Sequence, residues 1–106
     1  MPSKTEANIQ KEIMLALSQA GCTVWRNNTG AFKDGDRFIK YGLCKGSSDL
    51  IGIAPNGRFL AVEVKTAKGK PTKEQINFIE QVRMKGGIAF VARSAEEAVT
   101  ELRRYL

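Results

Sequence analysis

The stretch "GSSDLIGIAPNGRFLAVEVK", Gly46 to Lys65, reads as two strands joined at "APNG", with Asp49, Glu63 and Lys65 set among apolar residues. What those three residues can do depends on the pairing register. Side chains alternate between the faces of a strand, so a slip of one position moves a whole set to the other face. A two-residue type I′ loop at Asn56-Gly57 would pair Pro55 with Arg58 and Asp49 with Val64, parting the two carboxylates. Pro55, however, suits the second position of a type I turn, with Gly57 supplying the left-handed residue of a bulge. Proline also lacks the N–H of a ladder position. The resulting three-residue loop pairs Ala54 with Arg58 and sets Asp49 opposite Glu63.

In that register Asp49, Glu63 and Lys65 share a face with Ile51, Phe59 and Ala61. Leu50, Ile53, Leu60, Val62 and Val64 supply apolar surface, mostly on the other. Directly opposed residues hold their Cβ atoms about 5 Å apart. Two carboxylates that close repel, so one takes a proton or a cation sits between them. A hard divalent ion resolves the conflict, since Mg²⁺ is held by one or two carboxylates with waters and a substrate phosphate. The plainer alternative is an exposed hairpin end, with both acids solvated and Lys65 paired to one of them.

Around this hairpin the pattern is that of a single domain over residues 1–106. Ser3, with Glu6 three residues on, signals a first helix carrying Ile9, Ile13, Ala16, Leu17 and Ala20 up to Gly21. "CTVWR" (Cys22–Arg26) reads as a strand. From Asn27 to Lys45 the pattern is irregular, yet Phe32, Phe38, Ile39, Tyr41 and Leu43 are too apolar for a freely solvated loop. This segment is expected to fold back as a small hairpin or to pack on a partner chain. A second helix follows Thr72 and stops at Gly86-Gly87, "IAFVA" (Ile88–Ala92) is a buried strand, and Ser94 with Glu97 opens a last helix. The order αβββαβα, with an antiparallel hairpin and a parallel crossover, predicts a mixed sheet flanked by helices.

Glu6 and Gln75 each head the apolar stripe of a helix, which points them toward the sheet edge where Asp49 and Glu63 would lie. Each also stands where a capping box expects Glu or Gln. The chain has no histidine, which excludes His-based acid–base catalysis and His metal sites. Cys22 and Cys44 form no CxxC pair and read as buried or half-buried thiols. No apolar run is long enough to span a bilayer and the N-terminus lacks a secretory pattern, so a cytoplasmic location is expected. Net charge is +6 and favours a polyanionic partner.

These residues resemble a known family. "SSD" followed fourteen positions after Asp49 by "EVK" resembles the PD-(D/E)XK nuclease signature, with Ser48 where proline often stands. Glu6, "GLCKGSSDLIG", "EVK" at Glu63–Lys65 and Gln75 are together more similar to the VRR-NUC (virus-type replication-repair nuclease) family, over about Thr5 to Ala92. The resemblance implies a restriction-endonuclease-like αβββαβ(α) core and metal-dependent hydrolysis of DNA. Asp49, Glu63 and the Val64 carbonyl would then ligate Mg²⁺ or Mn²⁺, and Glu6 would act through water or at a second ion. Lys65 would orient or deprotonate the attacking water, and Gln75 would position Lys65 or the water. Small members resemble phage-encoded, dimeric Holliday-junction resolvases acting on branched DNA, which implies a homodimer. A flap or restriction-like nuclease, and a non-catalytic nucleic-acid-binding module, are the alternatives. Lys33, Arg37, Lys40 and Lys45 before the site, and Lys68, Lys70 and Lys73 after it, fit contacts to DNA phosphates.

Overall fold

The computed structural model describes residues 4–106. The expected cap at Ser3 lies outside the described residues, and helix α1 (Glu6–Gln19) takes Thr5 as its cap, the Thr5 hydroxyl accepting from the Asn8 N–H at 3.2 Å. Glu6 is therefore the first residue of the helix, and a capping box does not account for it. Ile9, Ile13 and Leu17 form the buried stripe, and Gly21 ends it at φ 96°.

After α1 come β1 (Thr23–Arg26), β2 (Gly30–Asp34), β3 (Arg37–Tyr41), β4 (Leu50–Ile53) and β5 (Phe59–Val64). Helix α2 (Lys73–Met84), strand β6 (Ile88–Ala92) and helix α3 (Ala95–Arg103) complete the order. β1, β4, β5 and β6 form one sheet in that spatial order. Its pairs are antiparallel except β5 with β6, which run parallel and are joined through α2. The fold is the expected mixed sheet flanked by helices, enlarged by a separate two-stranded sheet of β2 and β3.

The β4–β5 register follows the bulged turn. Ile53 pairs with Phe59 and Leu50 with Val62, and the Ala54 N–H donates to the Arg58 carbonyl at 2.9 Å. The Gly57 N–H returns to the Ala54 carbonyl at 2.8 Å, with Gly57 at φ 85°, a region that costs any residue with a Cβ. Pro55 thus stays out of the ladder.

Alternation along β5 then divides the core. Leu60, Val62 and Val64 face α1 and α3, burying against Ile9, Ile13, Leu17, Ala98 and Leu102. Each such aliphatic side chain contributes about 1.5–3 kcal/mol by leaving water. Ala61 faces the other way, toward Ile79, Phe78 and Val82 of α2. α2 packs on β5 and β6. Beyond it, Trp25, Ile53 and Phe59 remain largely exposed, so this side of the sheet is open along β1 and β4. Ile53, expected among the core positions, shares this open face with its partner Phe59. Cys22 is buried but Cys44 is exposed, correcting the expectation of two sheltered thiols.

Candidate active site

β4 begins at Leu50, and one step earlier its chain peels away from β5. Continuing the register places Asp49 opposite Glu63, on the face of the sheet that carries α2. Ser48 would come next opposite Val64, but the ladder is broken there. The Val64 N–H donates at 2.8 Å to Asp49 Oδ2, so the carboxylate takes the place of a strand carbonyl. The N–H and C=O of a strand residue point to the same side. The Val64 carbonyl therefore faces the same gap as the Asp49 carboxylate.

Glu63 projects from the middle of the sheet and is only 1% exposed. Its Oε2 lies 3.5 Å from Lys65 Nζ, whereas its Oε1 is buried without a hydrogen-bond partner. A buried carboxylate oxygen left bare costs free energy, and the protein answers by holding a proton. Burial first, then the neighbouring Asp49 carboxylate, pushes Glu63 up to about 8, against the opposing pull of Lys65. Glu63 therefore keeps its proton near neutrality. The Asp49 carboxylate lies beside that of Glu63, one of whose oxygens is unsatisfied, and the strand geometry turns the Val64 carbonyl toward the Asp49 side. That donor set suits a hard divalent cation, which would displace the proton.

The segment before Asp49 is held by a residue that the sequence reading passed over. Asn27, just beyond β1, is buried, and its Nδ2 donates to Ser47 Oγ at 2.8 Å and to the Ser48 carbonyl at 2.9 Å. Its own N–H donates to the Asp49 carbonyl at 2.8 Å. One residue therefore grips two successive carbonyls, one on either side of the Asp49 Cα. Ser47 Oγ passes the chain of hydrogen bonds to the Cys44 carbonyl at 2.7 Å. Gly46, at φ 86°, presses the turn against α2: an added Cβ would meet the Glu74 carbonyl oxygen at 2.6 Å. Ser48 is fully buried and its hydroxyl has no partner, so its side chain adds nothing that its backbone does not.

Of the other expected site residues, Gln75 completes a capping box. Its Oε1 accepts from the Thr72 N–H at 2.8 Å and its N–H donates to Thr72 Oγ1 at 3.2 Å. Its carbonyl end is thereby committed, and only its amide NH₂ remains available. Glu6 is exposed in the first turn of α1. Among the described residues no group of three Asp, Glu, Cys or His side chains is placed to hold one ion, so Glu6 stands apart from Asp49 and Glu63. Lys33, Arg37 and Lys40 lie on the β2–β3 hairpin, Lys45, Lys68 and Lys70 are exposed in loops, and Lys73 is exposed as the first residue of α2. Lys45 Nζ is 4.0 Å from Glu74 Oε1, and the Arg37 guanidinium is 3.9 Å from Asp34.

The family model of the VRR-NUC domain matches residues 4–96. The chain belongs to the VRR-NUC family. A solved structure described as a VRR-NUC domain is 25% identical and superposes with a TM-score of 0.66, over 95% of this chain and 97% of its own. A second, described as a VRR-NUC domain protein, is 18% identical with a TM-score of 0.63, over 100% of this chain and 91% of its own, a likeness of fold. No curated protein matches this chain. Membership makes this VRR-NUC chain a nuclease of the PD-(D/E)XK type, with DNA as substrate and divalent metals as the general requirement of such families. Among the described residues no helix is long and apolar enough to cross a membrane.

Proposed function

We propose that this protein is a metal-dependent, structure-selective DNA endonuclease, working as a homodimeric Holliday-junction resolvase with Mg²⁺ or Mn²⁺. The observation that carries the reading is the paired Asp49 and Glu63, with a bare, buried oxygen on Glu63, in a VRR-NUC chain. A fold kept only for binding has no need of two acids forced together. Asp49, Glu63 and the Val64 carbonyl would hold the ion, with Glu6 reaching it through water. When bound, the ion polarises the phosphate and lowers the pKa of a coordinated water.

The chain's own residues supply the remainder. Asp49 is oriented by the Val64 N–H and by the grip of Asn27, so the site is preorganised rather than assembled by substrate. Lys65, largely buried and held against Glu63, keeps a cation at the edge of the gap. There it orients the attacking water and offsets the charge growing on the phosphate as the leaving oxygen departs. The Gln75 amide NH₂ positions that water.

Two strands must be cut to resolve a four-way junction, which calls for two sites and hence two copies. The β2–β3 hairpin offers a surface for pairing. Phe32, Ile39 and Tyr41 share one of its faces, and both aromatic rings are about half exposed (52% and 51%). An isolated two-stranded sheet is marginal in water and gains from being covered. Such an enzyme would act in the cytoplasm, in DNA repair or the replication of a phage genome.

The test is cleavage of a synthetic four-way junction beside linear duplex and flap DNA, each with Mg²⁺, Mn²⁺ or EDTA. Symmetric nicks on the junction, abolished by EDTA, are expected. Cutting of flaps alone would keep the chemistry and remove the resolvase assignment. Binding without cutting under either ion would reduce the protein to a binding module.

A further inference from the structure

The β2–β3 hairpin has a second face, and its chemistry differs from the first. Cross-strand partners lie on the same side of an antiparallel pair. The pairs Phe32–Ile39, Gly30–Tyr41 and Asp34–Arg37 therefore make one face, and Lys33–Phe38 with Ala31–Lys40 make the other. On the apolar face Phe32 and Tyr41 shelter each other, their ring centroids 6.4 Å apart. Phe38 has no such companion. It is 73% exposed on the basic face, directly opposite Lys33 and two positions from Lys40 along the same strand. Lys40 and Lys45 both line an open groove of about 550 Å³ at the foot of the hairpin, which continues the basic surface toward the turn that presents Asp49.

We propose that this face binds nucleic acid at a branch, with Phe38 stacking on a base that the junction leaves unstacked and Lys33 and Lys40 on the flanking phosphates. The inference rests on the nuclease reading above and adds how that site would choose its substrate. A flat aromatic side chain between two cations matches the alternation of base and phosphate in a single strand, and stacking of this kind tolerates any sequence. A second copy of the chain does not fit the face. Two copies meeting there would bring four lysines together, whereas the opposite face offers apolar contact without that repulsion. A base-paired stretch does not present a free base surface, so Phe38 gains its partner only where pairing or stacking is interrupted.

The experiment measures binding of the full chain to a four-way junction and to linear duplexes of the same arms, in EDTA so that nothing is cut. Phe38→Ala is expected to weaken junction binding about tenfold and leave duplex binding unchanged. Phe38→Trp should restore junction preference. Lys33→Ala should weaken both and lower the salt dependence by about one ion. A wild-type preference for the junction that Phe38→Ala leaves intact overturns the proposal. So does an equal loss on both DNAs, or a change in sedimentation that makes Phe38 a contact between copies. Cleavage by the wild type in Mg²⁺ on the same DNAs separates the outcomes. Cutting with an unaffected Phe38→Ala sinks only this inference, while absence of both binding and cutting of the junction sinks the resolvase reading with it.

Discussion

Replacing Glu63 with glutamine should stabilise the metal-free protein, by an amount that grows with pH. Glu63 ordinarily ionises near 4.5 but is pushed up to about 8 in the folded chain. Below pH 4.5 the folded and unfolded chains both hold the proton, and stability is whole. As pH rises the unfolded chain ionises first, and the folded state loses ground until its own carboxyl titrates near 8. With about 1.4 kcal/mol per pH unit, the loss reaches about 3 kcal/mol at pH 7 and about 5 kcal/mol above pH 8. Glutamine keeps the shape of the neutral acid and cannot ionise, so Glu63→Gln escapes this loss. In a domain of this size 3 kcal/mol moves Tm by more than about 10 °C. The assay is thermal or urea unfolding of both proteins in EDTA at pH 5, 7 and 9. The absence of histidine removes the usual competing titration. Mn²⁺ should reverse the order, stabilising the wild type at pH 8 and leaving the variant unmoved. A stability difference independent of pH would refute the reasoning, because it would mean that Glu63 does not carry its proton into the neutral range.

Other substitutions probe the frame around the acids. Asn27→Ala removes two buried hydrogen bonds, so stability should fall by about 2 kcal/mol, and Mn²⁺ affinity by calorimetry should fall with it as Asp49 loses its grip. Gly57→Ala and Gly46→Ala both force a positive φ, but only Gly46 is crowded by backbone. Urea unfolding should show about 1–2 kcal/mol lost at Gly57 and more at Gly46, with weakened Mn²⁺ binding at Gly46 alone. Ser48→Ala removes a buried hydroxyl that has no partner, so Tm should rise or hold, with metal binding intact.

The turn "APNG" made the register legible, because a proline barred from the ladder and a glycine able to take positive φ leave one loop length that suits both. From that register the opposition of Asp49 and Glu63 followed by counting. The second and third helices were equally readable, since Thr72 and Ser94 cap them with local hydrogen bonds that sequence spacing reveals. Asn27 was not legible. An asparagine after a strand usually marks a turn, and its partners Ser47 and Ser48 lie twenty positions further on, joined to it only by the tertiary fold. The apolar residues of β2 and β3 suggested concealment, yet they stand exposed on a hairpin detached from the main sheet, because composition does not say which chain covers a surface. Gln75 showed the limit of a stripe argument. Its helical position pointed it toward the acids, but a local capping bond holds its oxygen.

The most direct measurement is single-turnover cleavage of a labelled four-way junction in Mg²⁺ by the wild type and by Asp49→Asn, with binding measured in parallel in EDTA. A metal ion and its ligand stabilise the transition state by several kcal/mol, so cleavage should drop by about a hundredfold or more while binding stays near the wild-type level. Cleavage that survives loss of the Asp49 carboxylate would contradict the account, since the reaction would then be running somewhere other than the gap between β4 and β5.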